Sequence, residues 1–151
     1  PIVVEGLTAS GLLAAMGGSG LMVTMLDETE RRYHSYVAGD RPEYDFAVET
    51  GVGYFVYVTA DTPFTLTGYF PEVSSTPLQE GWNFIGYSSL QTEMASQLLD
   101  RVGGLVLTCF DEESGRYVSY VSGDSAEYDY LVTPGNAYYI WVDGPCDLVF
   151  A

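Results

Sequence analysis

The second part of the chain alternates short apolar runs with turn residues. Ser-Gly, Pro-Gly and Gly-Pro pairs separate runs that are rich in Val, Leu, Ile and Tyr. Short strands divided by turns at intervals of ~8–12 residues are typical of a β-sandwich or barrel. The pattern predicts strands at residues 82–87, 105–110, 117–121, 128–132, 137–142 and 146–150.

One helix is expected between the first two of these strands. Met94, Leu98, Leu99 and Val102 are apolar at helical spacing, which predicts a helix over 92–102. Ser89 and Thr92 are both candidates for the N-cap, and the Gly-Gly pair at 103–104 ends the helix. The same pattern predicts a shorter helix over 8–16, which Gly-Gly at 17–18 ends.

The chain contains an internal repeat. Residues 21–58 align with 105–142 at a constant offset of 84 and without a gap. We therefore predict a mainly β protein of two tandem homologous sandwich-like or barrel-like modules, each with one short helix. Module one covers 1–68 and module two covers 80–151, with 69–79 as an extended linker. Because a one-residue slip would invert every strand face, both modules should share one strand order.

Two strand motifs in the chain resemble those of a known repeat family. Gly81-Trp82-Asn83-Phe84-Ile85-Gly86 is similar to the "GWNLIG" strand of a repeat domain in archaeal and some bacterial cell-surface proteins. Residues 50–58 and 133–142 are similar to its "PGxGYWVYV" strand, and 64–68 to its "LTLTG" strand. The resemblance implies an exported, cell-surface protein of the S-layer, sheath or adhesive type. It implies no catalytic residue.

The chain is strongly acidic. It has 21 Asp and Glu, five Arg, no Lys and a net charge of −16. This charge repels nucleic-acid phosphates and anionic membrane surfaces. No apolar run approaches the ~20 residues that a membrane-spanning helix needs, so membrane insertion is not expected.

The candidate chemical groups do not form a recognisable active site, and we predict that the protein is not an enzyme. His34 is the single histidine, and Val118 replaces it in the repeat. No metal or cofactor site is predicted, although calcium stays an alternative because acidic residues recur in both copies. The paired tyrosines suit cross-strand packing, with sugar binding as the alternative. The recurring acidic residues are Asp27/Asp111, Glu28/Glu112, Asp40/Asp124, Glu43/Glu127 and Asp45/Asp129.

Cys109 and Cys146 are a candidate disulfide. Each shares its strand face with apolar residues and therefore points at the core. Two such cysteines in a secreted protein favour a bond, with two buried free thiols as the alternative.

Two apolar segments are candidate assembly edges. Ile2, Val3 and Val4 form a short leading strand, and Leu148, Val149 and Phe150 form a final one. Unpaired apolar strands without lysine are templates for pairing with another chain. We therefore expect an extracellular structural protein that self-assembles into a surface layer, sheath or filament. The alternative is a carbohydrate-binding or adhesion module.

Overall fold

The computed structural model describes residues 4–69, called here the first half, and residues 74–150, called the second half. Within these residues the protein is mainly β, with two short helices. The elements of the first half are α1 (Ala9–Ala15), β1 (Gly20–Asp27), β2 (Arg32–Val37), a 3-10 turn (Pro42–Tyr44) and β3 (Tyr54–Val58). Those of the second half are β4 (Ser74–Leu78), β5 (Gly81–Gly86), β6 (Glu93–Met94), α2 (Ala95–Val102), β7 (Gly104–Asp111), β8 (Arg116–Val121), β9 (Leu131–Val132), β10 (Ala137–Val142) and β11 (Cys146–Phe150).

Both helices are shorter than predicted at their N-termini. Thr8 is the N-cap of α1, and its side chain accepts a hydrogen bond from the Gly11 backbone N–H. The start of α2 lies at Ala95 and not at 92, because the two preceding residues form β6 and pair with β9. The predicted caps Thr92 and Ser89 are therefore wrong, and Met94 is the N-cap.

Two antiparallel sheets contain the repeated strands. The first has the strand order β2-β1-β3, and the second has the order β5-β10-β7-β8. Met25 pairs with His34 in the first sheet, and their counterparts Cys109 and Val118 pair in the second. The order β2-β1-β3 corresponds to β8-β7-β10, and the paired residues differ by 84 throughout. Even the register shift at Gly20 in β1 recurs at Gly104 in β7.

Each half buries its own apolar core. The core of the second half is the larger and includes side chains from α2, β5, β7, β10 and β11. The core of the first half packs α1 against β1 and β2. Its fully buried members are Ala9, Leu12, Leu13, Met16, Val23 and Tyr36.

The interpretation of 69–79 as a linker is wrong for its second part. β4 pairs with β11 in an antiparallel ladder that joins Leu78 to Cys146 and Ser74 to Phe150. Leu78 is 1% exposed and belongs to the core of the second half. Pro77 is tolerated because β4 lies at the edge of a two-stranded sheet. Residues 70–73 lie outside the described residues.

This pairing also corrects one of the predicted assembly edges. Residues 148–150 do not form an unpaired strand, because β4 covers one side of β11. Leu148 and Phe150 are buried in the core, and only Val149 has a largely exposed side chain. Of the other predicted edge, Ile2 and Val3 lie outside the described residues, and Val4 is half-buried.

Candidate functional site

The two halves meet along strand β5. The Gly53 backbone N–H donates to the Phe84 carbonyl at 2.9 Å, and the Gly86 N–H donates to the Gly51 carbonyl at 2.9 Å. Val52 and Ile85 form an antiparallel bridge between these two bonds. Because β5 pairs with β10 on its other side, it is hydrogen-bonded along both edges. We call this contact between residues 51–53 and β5 the seam.

Glycines allow the backbones to approach this closely. A Cβ atom at Gly86 would lie 2.7 Å from the Val52 carbonyl oxygen, and one at Gly53 would lie 2.9 Å from the Phe84 ring. Real Cβ atoms are almost never this close to another heavy atom, so any larger residue would push the halves apart. The repeat has Ala137 at the position of Gly53, which is the sequence difference that could have indicated the contact.

Aromatic rings pack beside the seam. The Phe55 ring stacks on Phe84 with centroids 4.7 Å apart, and Phe84 stacks on Tyr139 at 4.4 Å. The Tyr33 and Tyr139 hydroxyls are 2.6 Å apart and share a hydrogen bond between the halves. Burial, and then the bond with Tyr33, raises the pKa of Tyr139 above its usual range. These rings therefore join the first half to the second.

Arg31 adds a polar clamp to the seam. Its guanidinium donates to the Trp82 carbonyl at 2.6 Å and also to the Glu80 carbonyl. The Arg31 backbone has φ 53°, which is the left-handed region, and its repeat counterpart Gly115 has φ 66°. An L-residue in this conformation is strained by ~1–2 kcal/mol. Glycine would be unstrained at this position. Arginine is strained there, but its side chain bridges the two halves.

Glu28 is the carboxyl group that lies next to the seam. Its side chain is half-buried in the turn that follows β1. Burial raises the pKa of this carboxyl, although the Phe84 backbone N–H and Arg31 partly oppose the shift. Its counterpart Glu112 is exposed.

The other recurring aspartates support turns and helix starts. Asp45 accepts bonds from the Ser10 backbone N–H at 2.9 Å and its hydroxyl at 2.6 Å. Asp129 holds Ser96 in the same way, at 3.0 and 2.6 Å. Although burial opposes it, bonding with Ser10 holds the pKa of Asp45 below its usual value. Sequence reasoning missed these bonds because the partners are more than thirty residues apart.

A second recurring pair of aspartates closes the turn after β2 and after β8. Asp40 accepts a bond from the Val37 N–H at 3.0 Å, and Asp124 accepts one from the Val121 N–H at 3.1 Å. The recurrence of these acidic positions therefore has a structural cause. By contrast, Glu43 and Glu127 are both exposed.

His34 lies in the one group of potential metal ligands found within the described residues. Asp27, Glu30 and His34 place ligand atoms within 4.8 Å of one another. Arg32 lies among them, with its Nε 3.2 Å from His34 Nε2 and its guanidinium paired with Glu30. Hydrogen bonds from the backbone N–H of Glu30 and of Thr29 lower the pKa of Asp27. A bound cation would have to displace Arg32, so the chemistry of this group does not favour calcium.

The recurring tyrosines also make recurring contacts. The Tyr54 hydroxyl accepts from the Glu49 N–H at 2.8 Å, and Tyr138 accepts from the Thr133 N–H at 2.9 Å. Tyr36 and Tyr120 are buried, and each donates to the backbone of its own turn. Exposed aromatic rings lie in both halves, and on the second sheet Tyr117 meets Phe110 at 5.2 Å.

The two cysteines are free thiols in the structure, and the predicted disulfide is not formed there. Cys109 lies beside Tyr130, whose ring stacks on Tyr138. Cys146 lies at the start of β11, where it pairs with Leu78 of β4. Both thiols are half-buried against the core of the second half, and burial raises the pKa of each.

The outer edge of β3 differs from the corresponding edge of β10. Its counterpart β10 pairs with β5, whereas no residue within 4–69 or 74–150 pairs with this edge of β3. Val56 and Val58 are 36% and 38% exposed, while their counterparts Ile140 and Val142 are 0% and 1% exposed. A cleft of about 740 Å³ lies between the two halves, and neither valine lines it. We call β3 with these two valines the open edge.

No family model matches the chain, and no curated protein or solved structure is significantly similar to it. Neither of the helices that the structure describes has the length and apolar character needed to cross a membrane.

Substitutions at Arg31 should separate the backbone strain at this position from the hydrogen bonds that its side chain makes to the Trp82 and Glu80 carbonyls. Arg31→Gly removes both, whereas Arg31→Ala removes the clamp and keeps the strain. We expect Arg31→Ala to be less stable than Arg31→Gly by about 1 kcal/mol in urea unfolding. Gly115→Ala is the matched control, because no atom lies within 4 Å of a Cβ placed there and only strain is added. Equal stabilities of the two Arg31 variants would contradict this account.

The raised pKa of Glu28 should make the stability of the protein depend on pH. The folded state holds the Glu28 proton more tightly, so this carboxyl destabilises the fold as pH rises from 4.5 through its folded pKa. We expect Glu28→Gln to be more stable than wild type at pH 7, with the advantage shrinking as pH falls through the folded pKa and lost below 4.5. Urea unfolding across pH measures this difference. Glu112→Gln removes the same charge from an exposed turn, and an equal effect there would show that only net charge matters.

Proposed function

We propose that the chain is a non-catalytic structural module of an extracellular, cell-surface assembly. It consists of two tandem β modules, residues 1–68 and 74–151, each with one short helix. The ungapped repeat and the matching strand order and register support this organisation. The motifs at 81–86 and 133–142 support the cell-surface location.

The observation that carries the proposal is the open edge. Proteins that remain single usually protect an edge strand with lysine, proline or an inward charge. Residues Tyr54–Val58 contain none of these, and two valines that the repeat buries are exposed there. An apolar strand in this state is suited to pairing with another chain. It replaces residues 148–150 as the favoured point of assembly.

The structural uses of the acidic residues support a non-catalytic role. Asp45 and Asp129 hold helix starts, and Asp40 and Asp124 hold turns. The surface that remains is acidic, with a net charge of −16 for the whole chain. Like charges on neighbouring molecules oppose their approach, and salt screens this repulsion.

Assembly should therefore increase with ionic strength. We expect light scattering of the purified chain to show a larger mean mass at 1 M than at 0.05 M NaCl. Electron microscopy of the same samples should show filaments, tubes or sheets. Calcium at equal ionic strength separates screening from specific binding. A chain that stays monomeric in every condition at high concentration would refute self-assembly.

Carbohydrate binding is the second candidate, and the exposed aromatic rings of the second sheet favour it. Trp82 and Trp141 lie edge to face at 5.4 Å, and Phe110 and Tyr117 continue the row across the same face. Trp82, Phe110 and Tyr117 are each more than a third exposed. Flat apolar rings of this kind stack on sugar faces.

Binding of soluble oligosaccharides should then change the tryptophan fluorescence, and Tyr117→Ala should weaken the binding. Tyr44→Ala, which removes an exposed tyrosine from the first half, serves as the control. No fluorescence change with any neutral or acidic oligosaccharide at millimolar concentration would argue against this candidate.

A further inference from the structure

Three separate features distinguish the first half from the second. The edge of β3 is unpaired within the described residues, whereas β10 pairs with β5. Val56 and Val58 are exposed, whereas Ile140 and Val142 are buried. Residues 64–68 form no strand, whereas their counterparts at 146–150 form β11.

A single element accounts for all three differences. In the second half, the consecutive strands β4 and β5 supply both missing contacts: β5 pairs with β10, and β4 pairs with β11. The two strands lie in different sheets, and we call residues 74–86 the β4–β5 segment. Ile140 and Val142 share one core with Leu78 of β4 and Leu148 of β11. No segment within residues 4–69 has this role.

We propose that the open edge is the binding site for a two-strand segment of the same class as the β4–β5 segment, supplied by another unit of the repeat. The incoming strand that corresponds to β5 pairs with β3, and the one that corresponds to β4 pairs with residues 64–68. This inference rests on the proposed structural function and names the chemistry of the partner.

The register of such a complex follows from the second half. Phe84 and Gly86 direct backbone groups away from β10 to the seam, so Asn83 and Ile85 face β10. Ile85 pairs with Tyr138 and Asn83 with Ile140. At the offset of 84, the same residues of an incoming strand would pair with Tyr54 and Val56. Asn83 is fully buried, and its side chain bonds to the backbone of Gln79 and Gly81 within the same segment, so it would enter with its polar groups already satisfied.

A synthetic peptide of residues 74–86 provides the test. Hydrogen exchange of the whole chain is measured with and without the peptide. We expect the amides of 54–58 and 64–68 to exchange about tenfold more slowly with the peptide bound. A peptide with Ile85→Pro, which lacks the N–H that faces β3, should have no effect.

Two variants of the chain complete the experiment. Val56→Lys places a charge on the open edge and should abolish peptide binding. Val121→Lys is its matched control, because Val121 is 44% exposed on β8, away from this edge and from residues 64–68. Circular dichroism and urea unfolding show whether each variant is folded.

Three results would overturn the inference: no change in exchange, slower exchange only within 131–150 through replacement of the chain's own β4–β5 segment, or equal binding by folded Val56→Lys. These results are independent of self-assembly. A monomeric chain that binds the peptide at the open edge would refute self-assembly alone, and an assembling chain that does not bind the peptide would refute the proposed partner alone.

Discussion

The arrangement of the two halves depends on how closely the backbone at 51–53 can approach β5. A side chain at Gly53 or Gly86 would meet the Phe84 ring or the Val52 carbonyl below normal contact distance. Without that approach the two backbone hydrogen bonds of the seam could not form. The Phe55–Phe84 stack depends on the same spacing.

The same requirement makes the two halves different at the seam. The position of Gly53 is glycine in the first half and Ala137 in the second. The two halves share strand order and register, yet only the first can present a bare backbone to a strand that carries a bulky ring. The halves are thus alike in fold and unlike in what they can bind at this position.

The features that the sequence could predict are those set by residues close together in the chain. The turns, the helix ends at glycine and the matched strands could be predicted, since Gly17 and Gly103 adopt positive φ and the repeat fixes the register. The strand at 74–78 was missed because its partner lies about seventy residues away and Pro77 indicates a linker. The seam was missed for the same reason, although the aligned copies do differ there, with Arg31 in the first and Gly115 in the second.

The pairing of β4 with β11 has a consequence for the order in which the protein folds. These strands join residues near 76 to residues near 148, so the loop between them contains all the other strands of the second half. Contacts of such high sequence separation form slowly, because the entropy of loop closure is lost before the contact stabilises the chain. During synthesis, Leu78 has no partner until the last strand has emerged. The β4–β5 segment, whose strand β5 contacts the first half, is therefore among the last parts of the molecule to become stably folded.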